Sequence, residues 1–282
     1  MEAEIDRNGR IAGRTVVITG AAQGFGEGIA MILAGEGANI VIADLNAEKG
    51  GKVSEAINAR YGAGRAVFVH TDVTDEDSVR TLMDETVRQF GRIDTLVSNA
   101  GIVRAGGLDE IGAKDLEEVA AVNYKGYFLC AKYASKVMKK QTAADPDCFA
   151  DIIQINSKSG LEGSKANFAY SGSKFAGIGL TQSFALELAP FRIKVNSICP
   201  GNFLDGPLWS DPENGLFLQY LKAGKVPGAK TVEDVREYYL SKVPLHRGCT
   251  PADIAKAILY AIEQEYETGQ AIPVTGGQVM LG

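Results

Sequence analysis

Hydrophobic and polar positions fall in blocks along this chain. Short apolar runs rich in β-branched residues recur at 14–19 (RTVVIT), 39–44 (NIVIAD), 65–72 (RAVFVHTD), 94–101 (DTLVSNAG), 150–157 (ADIIQINS) and 191–201 (FRIKVNSICPG). Each is followed by a punctuating turn and then by a segment of helical spacing. Examples are AEKGGKVSEAINARY and EDSVRTLMDETVRQFG, with longer helices expected near 113–140 and 168–189. The runs are continuously apolar instead of alternating, as suits strands buried on both faces of a parallel sheet. With a further strand near 270–274, the pattern predicts an α/β fold: one Rossmann-type, doubly wound parallel sheet of about seven strands, helices on both faces, built by right-handed crossovers. Residues 1–282 are expected to form a single domain.

Two segments break the rhythm. QTAADPDCFAD at 141–151 reads as a polar loop of unusual length. Residues 202–247 are the most irregular part of the chain and contain Trp209 and Pro207, Pro212, Pro227 and Pro244. A long interruption just past a strand's carboxyl end lies where open α/β sheets bind ligands. We read it as a substrate lid, with a surface helical insertion as the alternative.

Composition excludes several classes. With 282 residues, 45% apolar and 23% charged, the chain has a globular balance and not a disordered one. A net charge of −6 argues against nucleic acid as a partner. No apolar run is long enough to span a membrane, and MEAEIDRNGRIAGR lacks the apolar core of a secretory signal. Four scattered cysteines and two histidines make a metal site improbable and suit a cytoplasmic protein with reduced thiols. The outlier is glycine, 33 residues or about 12% against a usual ~7%, which suggests backbone that turns tightly or approaches a ligand closely.

The first turn gives that glycine a use. Thr19-Gly20-Ala21-Ala22-Gln23-Gly24-Phe25-Gly26 follows a strand and opens a helix. Gly20 permits the turn, Gly24 lets backbone reach a pyrophosphate and Gly26 allows close packing, while the helix N-terminus offers free N–H donors. Asp44, ending the second strand, can accept hydrogen bonds from a ribose and repel a 2′-phosphate, and Leu45 and Asn46 follow it without a cation. NAD is therefore expected over NADP. Asp72 and Val73, after the third strand, are candidates for the adenine side, with helix capping the alternative for Asp72.

Together with Ser98-Asn99-Ala100-Gly101 after the fourth strand, a Ser–Tyr–Lys set and Pro200-Gly201 after the sixth, this turn resembles the short-chain dehydrogenase/reductase family from about Gly13 onward. Ser98 departs mildly from the family's usual asparagine. The resemblance implies a catalytic set of Asn123, Ser157, Tyr170 and Lys174, with Asn99, Ala100, Gly101, Pro200 and Gly201 near the nicotinamide. Tyr170 and Lys174 share a helix face, and an ammonium beside a phenol favours the phenolate. Such a tyrosine exchanges the proton of an alcohol, while Ser157 can bond the substrate oxygen. By resemblance, Asn123 holds water that links Lys174 to solvent.

Substrate is a separate question. QINSKSG, GSK, GLTQS, KVPLHRGC and TGGQVM are similar to the branch of the family acting on sugar-alcohol phosphates. Lys158 and Lys165 are the candidate phosphate ligands, Lys242 and Arg247 weaker ones, and Asn202 can bond a substrate hydroxyl; a solvated surface is the alternative for each lysine. Asp205 stands where relatives often carry threonine, which puts a cofactor role there in doubt. Oxidation of a free polyol or of another sugar-alcohol phosphate remains open. A non-enzymatic NAD sensor would be expected to lack Tyr170 or Lys174, and both are present. A carrier-bound 3-oxoacyl reductase would favour NADPH and a basic docking face, against Asp44 and the acidic balance. The resemblance also implies a homotetramer, paired through the two long helices and the region 270–274.

Overall fold

The computed structural model describes residues 9–222 and 224–280; the first eight residues of the opening segment lie outside it. Seven strands, β1 (Thr15–Thr19), β2 (Asn39–Asp44), β3 (Ala66–His70), β4 (Thr95–Ser98), β5 (Ala150–Ile155), β6 (Ile193–Pro200) and β7 (Ala271–Val274), form one parallel sheet in the order β3-β2-β1-β4-β5-β6-β7. Register follows the apolar runs: Val16 pairs with Ile40 and Ile18 with Ile42. Successive residues serve opposite faces. Val16, Ile18, Ile40 and Ile42 pack into one core with α1 (Gly24–Gly35), α2 (Ala47–Tyr61) and α10 (Pro251–Glu263). Val17, Val41 and Ala43 pack into the other with α3 (Glu76–Phe90), α5 (Gly126–Ala144) and α6 (Phe168–Leu188). Two-sided burial is why these strands read as unbroken apolar runs.

Strand order reverses between β1 and β4, and loops leaving the carboxyl ends on either side diverge to open a crevice. The long helix expected near 113–140 is in fact α4 (Ala113–Ala120) and α5 joined by a π-helical turn, Ala121–Lys125. The 141–151 loop is shorter than expected because α5 runs on to Ala144. Gln141 pins that extension by accepting from the Ile93 N–H and donating to the Ile93 carbonyl, both at 2.9 Å.

The 202–247 interruption is helical. It contains α7 (Pro207–Ser210), α8 (Leu216–Lys222) and α9 (Val232–Ser241), which close around their own core of Leu204, Trp209, Phe217, Tyr220 and Val235. The segment is a helical insertion whose residues also wall the crevice. Among the described residues, no helix is long and apolar enough to cross a membrane, and no His, Cys, Asp and Glu side chains gather into a metal site. The four cysteines are free and buried.

Candidate active site

A cavity of about 610 Å³ opens over the carboxyl ends of the strands. Gly20, Gln23, Gly24, Phe25 and Asp44 line one end; Asp72, Val73, Asn99, Ala100 and Gly101 follow; Ser157, Lys158, Tyr170, Lys174, Pro200, Gly201 and Asn202 line the other. Thus nearly every residue singled out from sequence meets in one place. Gly26 lies just beneath: a Cβ there would stand 2.3 Å from the Gly20 carbonyl oxygen, so only glycine lets α1 start this close to the turn. Gly20 itself has φ +63°, and its backbone abuts that of Ala100. Asn99 ties the crevice together, donating from Nδ2 to the Thr19 and Gly20 carbonyls at 2.9 Å each.

The donor set fits a dinucleotide. α1 begins at the turn with Gln23 making no side-chain cap, leaving backbone N–H groups for an anion. Asp44 accepts from the Ala22 and Asn46 N–H groups, both at 2.9 Å, which fixes its carboxylate at the cavity wall. Two buried amide atoms on the wall, Asn202 Nδ2 and Asn167 Oδ1, have no protein partner; buried polar atoms ordinarily find one. The expectation of no cation beside Asp44 needs refinement. Lys49, early in α2, also lines this end, with its ammonium bonded to Gln23 at 2.9 Å. Asp72 Oδ1 accepts from both the backbone and the hydroxyl of Thr74, so part of its role is to hold its own turn.

At the other end, Ser157 closes β5 and its hydroxyl contacts the Tyr170 phenol. Burial raises the phenol above its ordinary value and the serine contact pulls the opposite way. Lys174 Nζ donates to the Ile155 carbonyl at 2.9 Å and lies 5.5 Å from the Tyr170 ring centre. Burial pushes this ammonium down to about 8. Burial, and not the lysine, therefore sets the direction for the phenol in the protein alone. Asn123 sits in the π turn, buried, accepting from the Ile102 N–H at 2.8 Å and donating to Ile102 and Ser173, both at 3.0 Å. The turn aims this amide inward, a placement that a regular helical reading misses.

The cationic candidates separate. Lys158 lines the cavity, with its side chain largely covered and Glu162 at 3.4 Å. Lys165 is exposed and lies outside the lining. Arg247 forms a two-pronged pair with Asp253 at 2.6 and 2.8 Å at the start of α10. Lys242 rests 4.0 Å above the Tyr238 ring, also outside the lining. Asp205 pairs with Arg236 at 2.7 Å, which ties the start of the insertion to α9 and accounts for an acid there. Sequence reasoning missed Phe203, which stacks on Phe25 at 4.9 Å, and Asn167, Tyr220, Lys225 and Tyr239 in the wall. Only position in the folded chain marks them out.

Residues 14–211 match the family model for short chain dehydrogenases. The chain belongs to the short-chain dehydrogenase family. Its members are oxidoreductases that use a nicotinamide cofactor, and this dehydrogenase has the family's seven-stranded parallel sheet. It is 40% identical over 271 residues to sorbitol-6-phosphate 2-dehydrogenase of Escherichia coli, covering 95% of this chain and 99% of that protein. The crystal structure of sorbitol-6-phosphate 2-dehydrogenase SrlD from Erwinia amylovora superposes with a TM-score of 0.86 at 41% identity, covering 95% of this chain and all of that one. A 3-oxoacyl-[acyl-carrier-protein] reductase of Thermotoga maritima is more distant, at 33% identity over 96% of this chain and 100% of the reductase.

Proposed function

We propose that this dehydrogenase oxidises a sugar-alcohol phosphate with NAD, D-sorbitol 6-phosphate to fructose 6-phosphate, at the C2 hydroxyl. The observation that carries the reading is the gathering of Ser157, Tyr170 and Lys174 in the same cavity as the glycine turn and Asp44, with the Lys174 ammonium 5.5 Å from the Tyr170 ring centre. Identity of 40% and 41% to two sorbitol-6-phosphate 2-dehydrogenases supports the substrate.

A bound nicotinamide supplies the hydride acceptor. The chain's residues handle the proton and the substrate's position. Ser157 donates a hydrogen bond to the C2 oxygen and holds it against Tyr170 Oη, which as the phenolate takes the hydroxyl proton while the substrate's C2–H bond gives up its hydride. Lys174, charged below about pH 8, favours the phenolate that performs this step. Asn123 fixes the backbone of Ile102 on the cavity wall and, in this reading, holds the water through which Lys174 exchanges protons. Asn202 offers its unpartnered Nδ2 to a substrate hydroxyl, and Lys158 places one positive charge in the wall for the phosphate. Asp44 favours NAD, because a 2′-phosphate would meet its carboxylate.

The reading takes the chain as one catalytic domain with 202–247 as its lid, working in the cytoplasm as a homotetramer. Exposed Leu116, Tyr124, Phe128 and Phe175 on α4, the π turn, α5 and α6 support association through those helices. The test is formation of NADH and fructose 6-phosphate from D-sorbitol 6-phosphate. Tyr170→Phe is expected to lower kcat by about 10²–10⁴-fold with unchanged far-UV circular dichroism. Full activity in that variant would remove Tyr170 from the mechanism.

A further inference from the structure

The lid carries a cation that sequence reasoning did not single out. Lys225 lies between α8 and α9, is half-buried and lines the catalytic cavity together with Tyr220 and Tyr239. Its Nζ stands 3.8 Å from the Tyr220 ring centre, and Tyr220 stacks on Tyr239 at 5.6 Å. Lys242 lies 5.7 Å from the Tyr239 ring centre. Lys158 and Lys242 are both near enough to Lys225 for their charges to repel its own. Glu162 is bonded to Lys158 and Asp211 lines the same cavity, but among the described residues no carboxylate pairs with Lys225. Half-buried positive charge is costly without a counter-charge. Aromatic faces relieve part of that cost but do not supply the missing negative charge.

We propose that Lys225, acting with Lys158, receives the phosphate of the substrate, so that the lid itself senses whether the substrate is charged. This inference rests on the sugar-alcohol phosphate reading above and adds the residue that selects for it. A phosphate dianion at this end of the cavity would neutralise Lys158 and Lys225 together and accept charge-assisted hydrogen bonds from both. The lysine is delivered by the insertion and not by the sheet. Charge recognition therefore requires the lid to be folded down over the cavity.

The readout is the ratio of kcat/KM for D-sorbitol 6-phosphate to kcat/KM for D-sorbitol, with NAD, in four proteins: wild type, Lys225→Met, Lys225→Arg and the exposed lid variant Lys230→Met. Lys225→Met is expected to lower the ratio at least tenfold or so, Lys225→Arg to restore most of it and Lys230→Met to leave it as in wild type. If Lys225 serves only to pack the tyrosines, Lys225→Met lowers both kcat/KM values alike and the ratio stays. That result overturns the proposal while leaving the substrate reading intact. A wild-type ratio near one overturns the substrate reading itself. A second measurement needs no variant: acetylation of Lys225 in wild type, followed by mass spectrometry, should be blocked by D-sorbitol 6-phosphate but not by D-sorbitol. Equal labelling in both contradicts the proposal.

Discussion

At the scale of single residues, burial does most of the chemical tuning. It raises the Tyr170 phenol above its ordinary value and lowers the Lys174 ammonium to about 8, so the two groups move apart in proton affinity and the ammonium is the first of the pair to lose its proton. Oxidation needs the pair to have lost one proton; reduction needs Tyr170 to have one to give. The rate of polyol phosphate oxidation should therefore climb with pH toward and past 8, while ketone reduction falls over the same range, measured as kcat in each direction. Profiles with the opposite slopes would contradict the assignment. Asp44 makes a separate statement. Both of its oxygens are fixed by backbone N–H groups, and Lys49 waits nearby on Gln23. Asp44→Ala should narrow the preference for NAD over NADP by about tenfold or more, read as the ratio of the two kcat/KM values. An unchanged ratio would place cofactor choice elsewhere.

At the scale of elements, one joint of the fold is polar and long-range, at the amino ends of β5 and β6. Lys194 of β6 donates to the carbonyls of Ala261, Ile262 and Gln264 at the end of α10, where helix carbonyls lack partners, and pairs with Asp151 of β5 at 3.1 Å. Both side chains are almost fully buried. Lys194→Met leaves the Asp151 carboxylate without this ammonium and should destabilise the fold by about 3–5 kcal/mol, measured by urea denaturation. A loss under 1 kcal/mol or so would mean that Arg14, 3.4 Å from Asp151, suffices alone. None of this network is visible from periodicity, because Lys194 and Asp151 read as ordinary charges inside apolar runs. The strands themselves were legible, since two-sided burial writes itself as unbroken Val and Ile. The π turn at Asn123 was not, because one extra residue in a turn leaves the helical pattern nearly intact. The helices of the insertion were hidden for another reason: α7 and α8 are short, and their apolar residues face a private core around Trp209 instead of the main sheet.

At the scale of the molecule, a parallel sheet gathers the ends of six strands into one crevice, and the helical insertion walls its far side. Motif residues on the strand ends could be read from the chain because each follows a recognisable run. Lys225 and Asn167 could not, since the fold alone brings them to Ser157 and Tyr170. A net charge of −6 likewise conceals a local excess of positive charge at Lys158, Lys225 and Lys242, and local charge is what a bound anion meets. The proposed reaction is oxidation of a phosphorylated polyol by NAD. Its most direct test is the initial rate of NADH formation by the wild-type protein on D-sorbitol 6-phosphate and on D-sorbitol, each over a range of concentrations. The phosphorylated substrate should show a kcat/KM at least about tenfold higher; equal values, or faster turnover of D-sorbitol, would contradict this reaction.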